Sequence, residues 1–231
     1  MIKKSQVRIL IDIMMTVFSL ILMGGNYFFS WDGTHEIFGV SLFILWALHI
    51  IANRHWYESI FRGRYRAFRV MQVCVNSFIL ICAIFLMLSG IMLSNHVFVF
   101  LNINIGSHFA RTAHLLASHW YFIAMSLHIG LHIEAISRGM QKTSKKVKHP
   151  FTTILVRLLL LTFICGYGVY AFIQHNLWKY LFLQEQFFFL KIERGYTFFF
   201  IDHIAIITLF ATIAHYLGTF CKKRHNKNLT H

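Results

Sequence analysis

Long runs of apolar residues dominate the chain, and each is about the length that crosses a lipid bilayer. A helix spans the hydrocarbon core with about 20 mostly apolar residues. No internal repeat or linker divides the sequence, so we predict a single domain over residues 1–231. We predict an all-α polytopic membrane protein with six transmembrane helices in a cofactor-binding bundle. The spans are predicted at about 9–28, 36–53, 70–93, 112–133, 151–173 and 197–220.

Composition supports the membrane class and excludes two others. Apolar residues make up 57% of the chain and charged residues 13%, against about 45–50% and about 25% in soluble domains. A disordered chain would be less apolar and richer in proline than this one, which has a single proline. A soluble globule would lack the polar surface to cover so much apolar volume. The first apolar run is too long for a signal peptide, so we predict a retained helix.

Basic residues predict the topology. The net charge is +14, and 18 of the 22 lysines and arginines fall at the N-terminus, in the second–third and fourth–fifth connections, at the start of the fifth span, or in the tail. They are Lys3, Lys4, Arg8, Arg54, Arg62, Arg64, Arg66, Arg69, Arg138, Lys142, Lys145, Lys146, Lys148, Arg157, Lys222, Lys223, Arg224 and Lys227. The positive-inside rule places these in the cytoplasm, with both termini, in a multi-pass protein of the cell membrane. The positive-inside rule therefore explains the net charge without a nucleic-acid partner. We expect the basic residues to contact membrane lipid.

The opposite side carries one long connection, residues 174–196, which is strongly aromatic. Aromatic rings favour the headgroup level of a membrane. The segment is therefore expected to lie in the interface as an amphipathic or re-entrant piece, or else to dock a partner.

Absent motifs narrow the chemistry. The four cysteines form no CxxC or CxxCH pattern, which excludes a thioredoxin-like site and covalent haem attachment. No GxGxxG or GxxxxGK[ST] motif occurs, so the chain carries no nucleotide-binding fingerprint. A redox protein of this kind would take electrons from a mobile carrier or another subunit.

Histidine spacing is the strongest chemical signal. His35 and His49 are 14 residues apart, and so are His114 and His128. Fourteen residues are about four helical turns, so each pair shares a face, with a rise of about 21 Å. The second and fourth spans run in the same direction, so two helices present matched histidines at two depths. Two stacked b-type haems need this arrangement, with each iron held by one imidazole from each helix.

Fifteen histidines in 231 residues give about one pair at this spacing by chance, so the count decides nothing. The placement of both pairs inside spans is the informative part, because ionisable groups there are costly. Structural or proton-handling histidines remain the alternative. His132 is a competing inner ligand, since it lies five full turns from His114; otherwise it would serve a propionate, a quinone or a proton path. His119 is about 140° round the helix from His114 and is expected to face elsewhere.

Neighbouring residues fit the same interpretation. Gly39 and Ser118 lie one turn from His35 and His114 and would let a flat macrocycle approach the backbone, although helix packing also selects small residues. Arg111 on the outer side is a candidate partner for propionates.

The four histidines belong to two longer motifs. The first is His35-Glu36-Ile37-Phe38-Gly39 with His49 and Asn53-Arg54-His55-Trp56, and the second is His114-Leu115-Leu116-Ala117 with residues 125–132. These two motifs resemble the flavinylation-associated cytochrome family of bacterial membrane proteins. Weaker similarity extends to Asp12 and to residues 180–183 and 202–206. The resemblance implies haem ligation by His35, His49, His114 and His128, and electron transfer toward extracytoplasmic proteins with covalently bound flavin. His119 departs from the family pattern.

The sequence thus predicts a di-haem b-type cytochrome that carries electrons from quinol or a cytoplasmic-side donor to an outer acceptor. It would be an electron-transfer subunit of an oxidoreductase system, with a single haem per chain as an alternative. Three other functions stay open: a ferric-reductase-like transmembrane subunit, a histidine-lined metal or proton transporter, and a membrane anchor without cofactor.

Overall fold

The computed structural model is built from helices. It describes residues 4–31, 33–60, 62, 65–103, 106–141, 151–189 and 194–227. Every regular element within these ranges is helical, which confirms the all-α class. The α-helices are α1 (Lys4–Leu22), α2 (Gly33–Ala52), α3 (Arg54–Glu58), α4 (Ala67–Leu93), α5 (Ser107–Gln141), α6 (Phe151–Gln174), α7 (Leu177–Leu181) and α8 (Tyr196–Lys227). Seven basic residues lie outside the described residues: Lys3, Arg64, Lys142, Lys145, Lys146, Lys148 and Lys191.

Four of the described helical segments are long and apolar enough to cross a membrane, which indicates a membrane protein. They are Gly33–Ala52, Ala67–Leu93, Leu155–Gln174 and Tyr196–Arg224, and they coincide with four of the six predicted spans. The predicted first and fourth spans fall on α1 and α5, which are helical. The histidines of α5 make it less apolar than these four segments.

The chain folds into two compact units. Unit 1 is formed by the described residues within 1–64, 80–122 and 179–190, and unit 2 by those within 65–79, 123–178 and 191–231. Both α4 and α5 contribute residues to each unit.

In unit 1, α1 packs along α2 through aromatic side chains. The ring of Phe38 lies 4.9 Å from that of Phe18 and 5.5 Å from that of Phe29. Such ring pairs add about 0.5–1.5 kcal/mol beyond their buried area. These contacts fix the helix that carries His35.

Part of the aromatic segment 174–196 packs into unit 1. Tyr180 and Leu181 are buried, and Nε1–H of Trp120 donates to the Leu181 carbonyl at 3.0 Å. The indole thus satisfies a carbonyl at the end of α7 that has no partner within its own helix. Phe188 follows, with its ring 6.0 Å from that of Tyr27.

In unit 2, glycines let helices approach α8 closely. A Cβ atom on Gly168 of α6 would meet the Ala205 carbonyl oxygen at 2.6 Å, and one on Gly130 of α5 would collide with the backbone of Ala211. Small residues at such crossings are typical of membrane helices. Gly130, between His128 and His132, therefore has a packing role.

Candidate cofactor site

Unit 1 contains a cavity of about 500 Å³ with mainly apolar walls. Cofactor pockets are commonly about 300–1,000 Å³ and apolar, with a few placed polar groups. His35 on α2 and His114 on α5 both line it, and their ring centroids are 6.2 Å apart with an interplanar angle of 63°. Trp46 lies in the wall. The structure thus brings together the two histidines of the predicted outer pair.

A serine on α4 defines the protonation of His114. The Ser89 hydroxyl donates to the Phe85 carbonyl at 2.5 Å, and Ser89 Oγ lies 3.0 Å from Nδ1 of His114. Because a carbonyl can only accept and the hydroxyl has one proton, Ser89 Oγ must accept from Nδ1–H of His114. The lone pair of His114 is therefore on Nε2, the nitrogen available to a ligand.

His35 has an unsatisfied nitrogen. Its Nδ1 atom is buried without a hydrogen-bond partner in the described part of the chain. A buried unsatisfied polar group costs about 1–3 kcal/mol. Apart from a backbone hydrogen bond with Gly25, the imidazole of His35 has bonding capacity that its protein surroundings leave unused.

Glu36, the next residue, holds the loop that follows α4. Its carboxylate accepts the Ser94 hydroxyl at 2.5 Å and the backbone N–H groups of Asn95, His96 and Val97 at 2.8, 3.2 and 2.8 Å. Four donors converge on one carboxylate, so the start of α2 and the end of α4 are joined beside His35.

The positive charge at the cavity has no such compensation. Arg111 lines the cavity, and among the described residues its guanidinium has no hydrogen-bond or ion-pair partner. Glu36 also lines the cavity but is engaged by its four donors. A ligand with an acidic group would complement Arg111, since guanidinium groups bind carboxylates through paired hydrogen bonds.

Small residues leave room in the cavity. A Cβ atom on Gly39 would have no neighbour within 4 Å, and one on Gly90 would lie 3.8 Å from Cε1 of His114. Both glycines and Ser118 line the cavity. A flat ligand can therefore approach the helix backbones at these positions.

His119 lines the same cavity as His114, contrary to the expectation that it faces elsewhere. The cavity is broad enough to reach both faces of α5, because Gln186, Phe187 and Phe188 form part of its wall. Nδ1–H of His119 donates to the Leu115 carbonyl at 2.8 Å, and the ring stacks on Tyr180 with centroids 4.5 Å apart. Burial raises the pKa of Tyr180, so its hydroxyl stays neutral at physiological pH.

His49, also in unit 1, is bound by a carboxylate. Its Nδ1 lies 2.7 Å from Oδ1 of Asp12 on α1, and its Nε2 lies 3.4 Å from Nδ2 of Asn53. Since an amide nitrogen can only donate, Nε2 of His49 carries the lone pair and Nδ1–H donates to Asp12. This is the carboxylate–histidine arrangement that orients metal-ligating imidazoles.

His128 and His132 lie in unit 2. Nδ1–H of His128 donates to Oδ1 of Asn76 at 2.7 Å, which again leaves the lone pair on Nε2. The ring of His132 lies 4.5 Å from that of His128, so the predicted ligand and its alternate are direct neighbours. Of the predicted inner pair, His49 belongs to unit 1 and His128 to unit 2.

Unit 2 also holds a buried acid cluster. Asp202 accepts the Tyr167 hydroxyl at 2.5 Å and Nε2–H of His175 at 2.9 Å, and Arg194 lies 3.8 Å from its carboxylate. The Asp202 side chain is 4% exposed. These partners offset the cost of burying the carboxylate.

Ser89 and Asn76 were not predicted from the sequence. Both are polar residues in the otherwise apolar α4, and a polar side chain inside a span usually needs a partner. That signal marks them as candidates, but only the helix packing identifies their histidines. Within the described residues, no group of three or more His, Cys, Asp or Glu side chains is placed to hold a metal ion.

Comparisons with protein-family models, curated proteins and solved structures return no match for this chain.

Proposed function

We propose that the protein is a membrane-bound b-type cytochrome in which His35 and His114 hold a haem in the cavity of unit 1. The observation that carries the proposal is the 6.2 Å separation of these two imidazoles across an apolar cavity. Two imidazoles that each placed a nitrogen about 2.0 Å from one metal would have ring centroids about 6 Å apart. The observed separation fits that value.

The side chains around the cavity suit the cofactor. Ser89 leaves Nε2 of His114 with a free lone pair, and His35 has a nitrogen unsatisfied by protein. Gly39 and Gly90 give room for a macrocycle, while Arg111 supplies a charge for a propionate. A bound haem supplies reversible one-electron chemistry at its iron. The residues of the chain hold it, orient the imidazoles and exclude water through the apolar wall.

A second haem is proposed on the inner histidines of the sequence, His49 and His128, with His132 as the alternate. Support comes from each imidazole separately. His49 and His128 both donate from Nδ1 to an acceptor, Asp12 and Asn76 respectively. Metal-ligating histidines almost always donate their other N–H in this way.

The proposed membrane topology has six spans, adding α1 and α5 to the four apolar helices, with both termini cytoplasmic. Electrons would enter near His49 from quinol or a cytoplasmic-side donor. They would leave near His35 and His114 to an outer acceptor, which by the resemblance to flavinylation-associated cytochromes is a flavin-bearing protein. The chain would be an electron-transfer subunit of an oxidoreductase system.

The test is haem content in purified full-length protein. The wild type should show a reduced α-band typical of b haem and about two haems per chain. The H35A and H114A variants should each lose one haem. H215A is the matched control, because His215 lies in α8 and outside the cavity. Wild-type protein that binds no haem when haem is supplied, or full retention in both variants, would contradict the proposal.

A further inference from the structure

One end of the cavity in unit 1 is polar. The start of α2, the loop after α4 and the start of α5 meet there, because Glu36 binds that loop and the rings of His35 and His114 are neighbours. The polar lining residues that these elements supply, besides the two histidines, are Glu36, Ser94, Asn95, His96 and Arg111. Farther into the helices, the lining residues of α2 from Val40 to Trp46 and those of α4 from Ala83 to Leu93 are apolar. The walls that α2 and α4 form therefore change from polar to apolar along the cavity.

Gln186, in the segment 174–196, also lines the cavity. Two residues farther on, the ring of Phe188 lies 3.3 Å from the position that a Cβ atom on Gly25 would take, and the Gly25 backbone hydrogen-bonds to His35. Two residues span at most about 7 Å. Gln186 is therefore close to the polar end, where α2 begins.

Three groups at this end have hydrogen-bond donors to spare. Within the described residues, the side-chain amides of Asn95 and Gln186 and the guanidinium of Arg111 have no hydrogen-bond partner. Glu36 does not serve them, because its carboxylate is engaged by the loop. Deeper in the cavity the polar groups are paired differently: Tyr121 hydrogen-bonds to Ser19, whose own proton goes to the Met15 carbonyl.

Resting on the proposed function, we propose that Asn95 and Gln186 join Arg111 in binding the two propionates of the haem. The carboxylate edge of the cofactor then lies at the polar end of the cavity, and its apolar edge lies among the apolar side chains of α2 and α4. Two carboxylates present four acceptor oxygens and accept from guanidinium and amide groups alike. Gln186 thereby makes part of the segment 174–196 a cofactor-binding element.

Two competing explanations exist. Asn95, Arg111 and Gln186 are exposed, so water alone would satisfy them if the propionates were not bound there. Alternatively, the haem has the reverse orientation, with its propionates toward Tyr121. Both alternatives predict that removal of Gln186 leaves the recognition of the propionates unchanged.

The experiment is titration of full-length apoprotein with haem and, separately, with haem dimethyl ester, followed by the Soret band. Esterification removes both negative charges and leaves the iron and the macrocycle unchanged. The wild type should bind haem about 10- to 100-fold more tightly than the ester, because hydrogen bonds to charged groups are the stronger ones. R111A should lose most of this preference. N95A and Q186A should each reduce it about three- to tenfold.

Q184A is the matched control for Q186A, since Gln184 is an exposed glutamine of the same segment and lies outside the cavity. It should keep the wild-type preference, and so should Y121F. Because the preference is a ratio measured on one protein sample, a variant with a smaller folded fraction still reports it.

Equal affinities of the wild type for haem and its ester overturn the inference. An unchanged preference in both N95A and Q186A, or a preference lost in Y121F and kept in R111A, overturns it as well. All of these results leave haem binding intact, whereas a wild type that binds neither compound removes the proposed function itself.

Discussion

Ser89 on α4 holds His114 on α5 in a single tautomer, because its only hydroxyl proton is donated to Phe85 and its oxygen must accept from Nδ1. Two helices therefore cooperate in holding the imidazole of His114, which lines the cavity, with its lone pair on Nε2. The orientation of this imidazole depends on the partner helix as much as on its own.

Removal of that acceptor should weaken haem binding. In S89A, Nδ1–H of His114 loses its hydrogen-bond acceptor, and the imidazole is no longer held in one orientation. We therefore expect the affinity for haem to fall about 10- to 100-fold. Haem titration of the apoprotein measures the change. S41A is the control, since the Ser41 hydroxyl donates only to the Ile37 carbonyl of its own helix. Equal affinities in S89A and S41A would argue against the assigned role of Ser89.

A larger side chain at Gly39 should fill the cavity. Leu at this position would extend into open space beside His35, so we expect G39L to lose most of the haem bound in unit 1. Replacing Gly within a helix gains up to about 1 kcal/mol in propensity, so the loss would not come from unfolding. G166L on α6 is matched, because Gly166 also has no neighbour within 4 Å and lies outside the cavity. Haem content per chain is the measurement, and equal content in both variants would refute the prediction.

Loss of the Glu36 carboxylate should release the loop after α4. E36A removes the acceptor of the Ser94 hydroxyl and of three backbone N–H groups. We expect about 2 kcal/mol less stability in total, since these donors are partly exposed. Amide hydrogen exchange at residues 95–97 should accelerate. The control E185A breaks a partly exposed ion pair with Lys179 and should cost less than about 1 kcal/mol of stability. An equal loss of stability in E36A and E185A would show that Glu36 does not hold this loop.

The buried acid of unit 2 should matter for stability. D202A removes the acceptor shared by Tyr167 and His175, and breaking a buried charged cluster costs about 3–5 kcal/mol. The free energy of unfolding in detergent is the measurement. E58A is the reference, because Glu58 and His55 form an exposed pair worth less than about 1 kcal/mol. A D202A cost as small as that of E58A would contradict the prediction.

His35 and His114 were predicted to lie close together because each is near the start of its span and the two spans were predicted to run in the same direction, and the structure places their rings 6.2 Å apart. Helical periodicity could not identify Ser89 or Asn76, whose contacts depend on the rotation of α4 against α5. It also misjudged His119. His119 does lie about 140° round α5 from His114. However, Tyr180 and Phe188 pack against His119, and the cavity extends to that side of the helix.

Trp46 lies in the cavity wall, so its fluorescence can report whether a chromophore is bound there. An indole in the wall of a pocket transfers its excitation to any bound chromophore that absorbs near its emission, as a porphyrin does. Loading of the cavity can therefore be followed by the loss of tryptophan fluorescence, without a label. Substitution of Trp46 by Phe would separate its signal from that of the other four tryptophans.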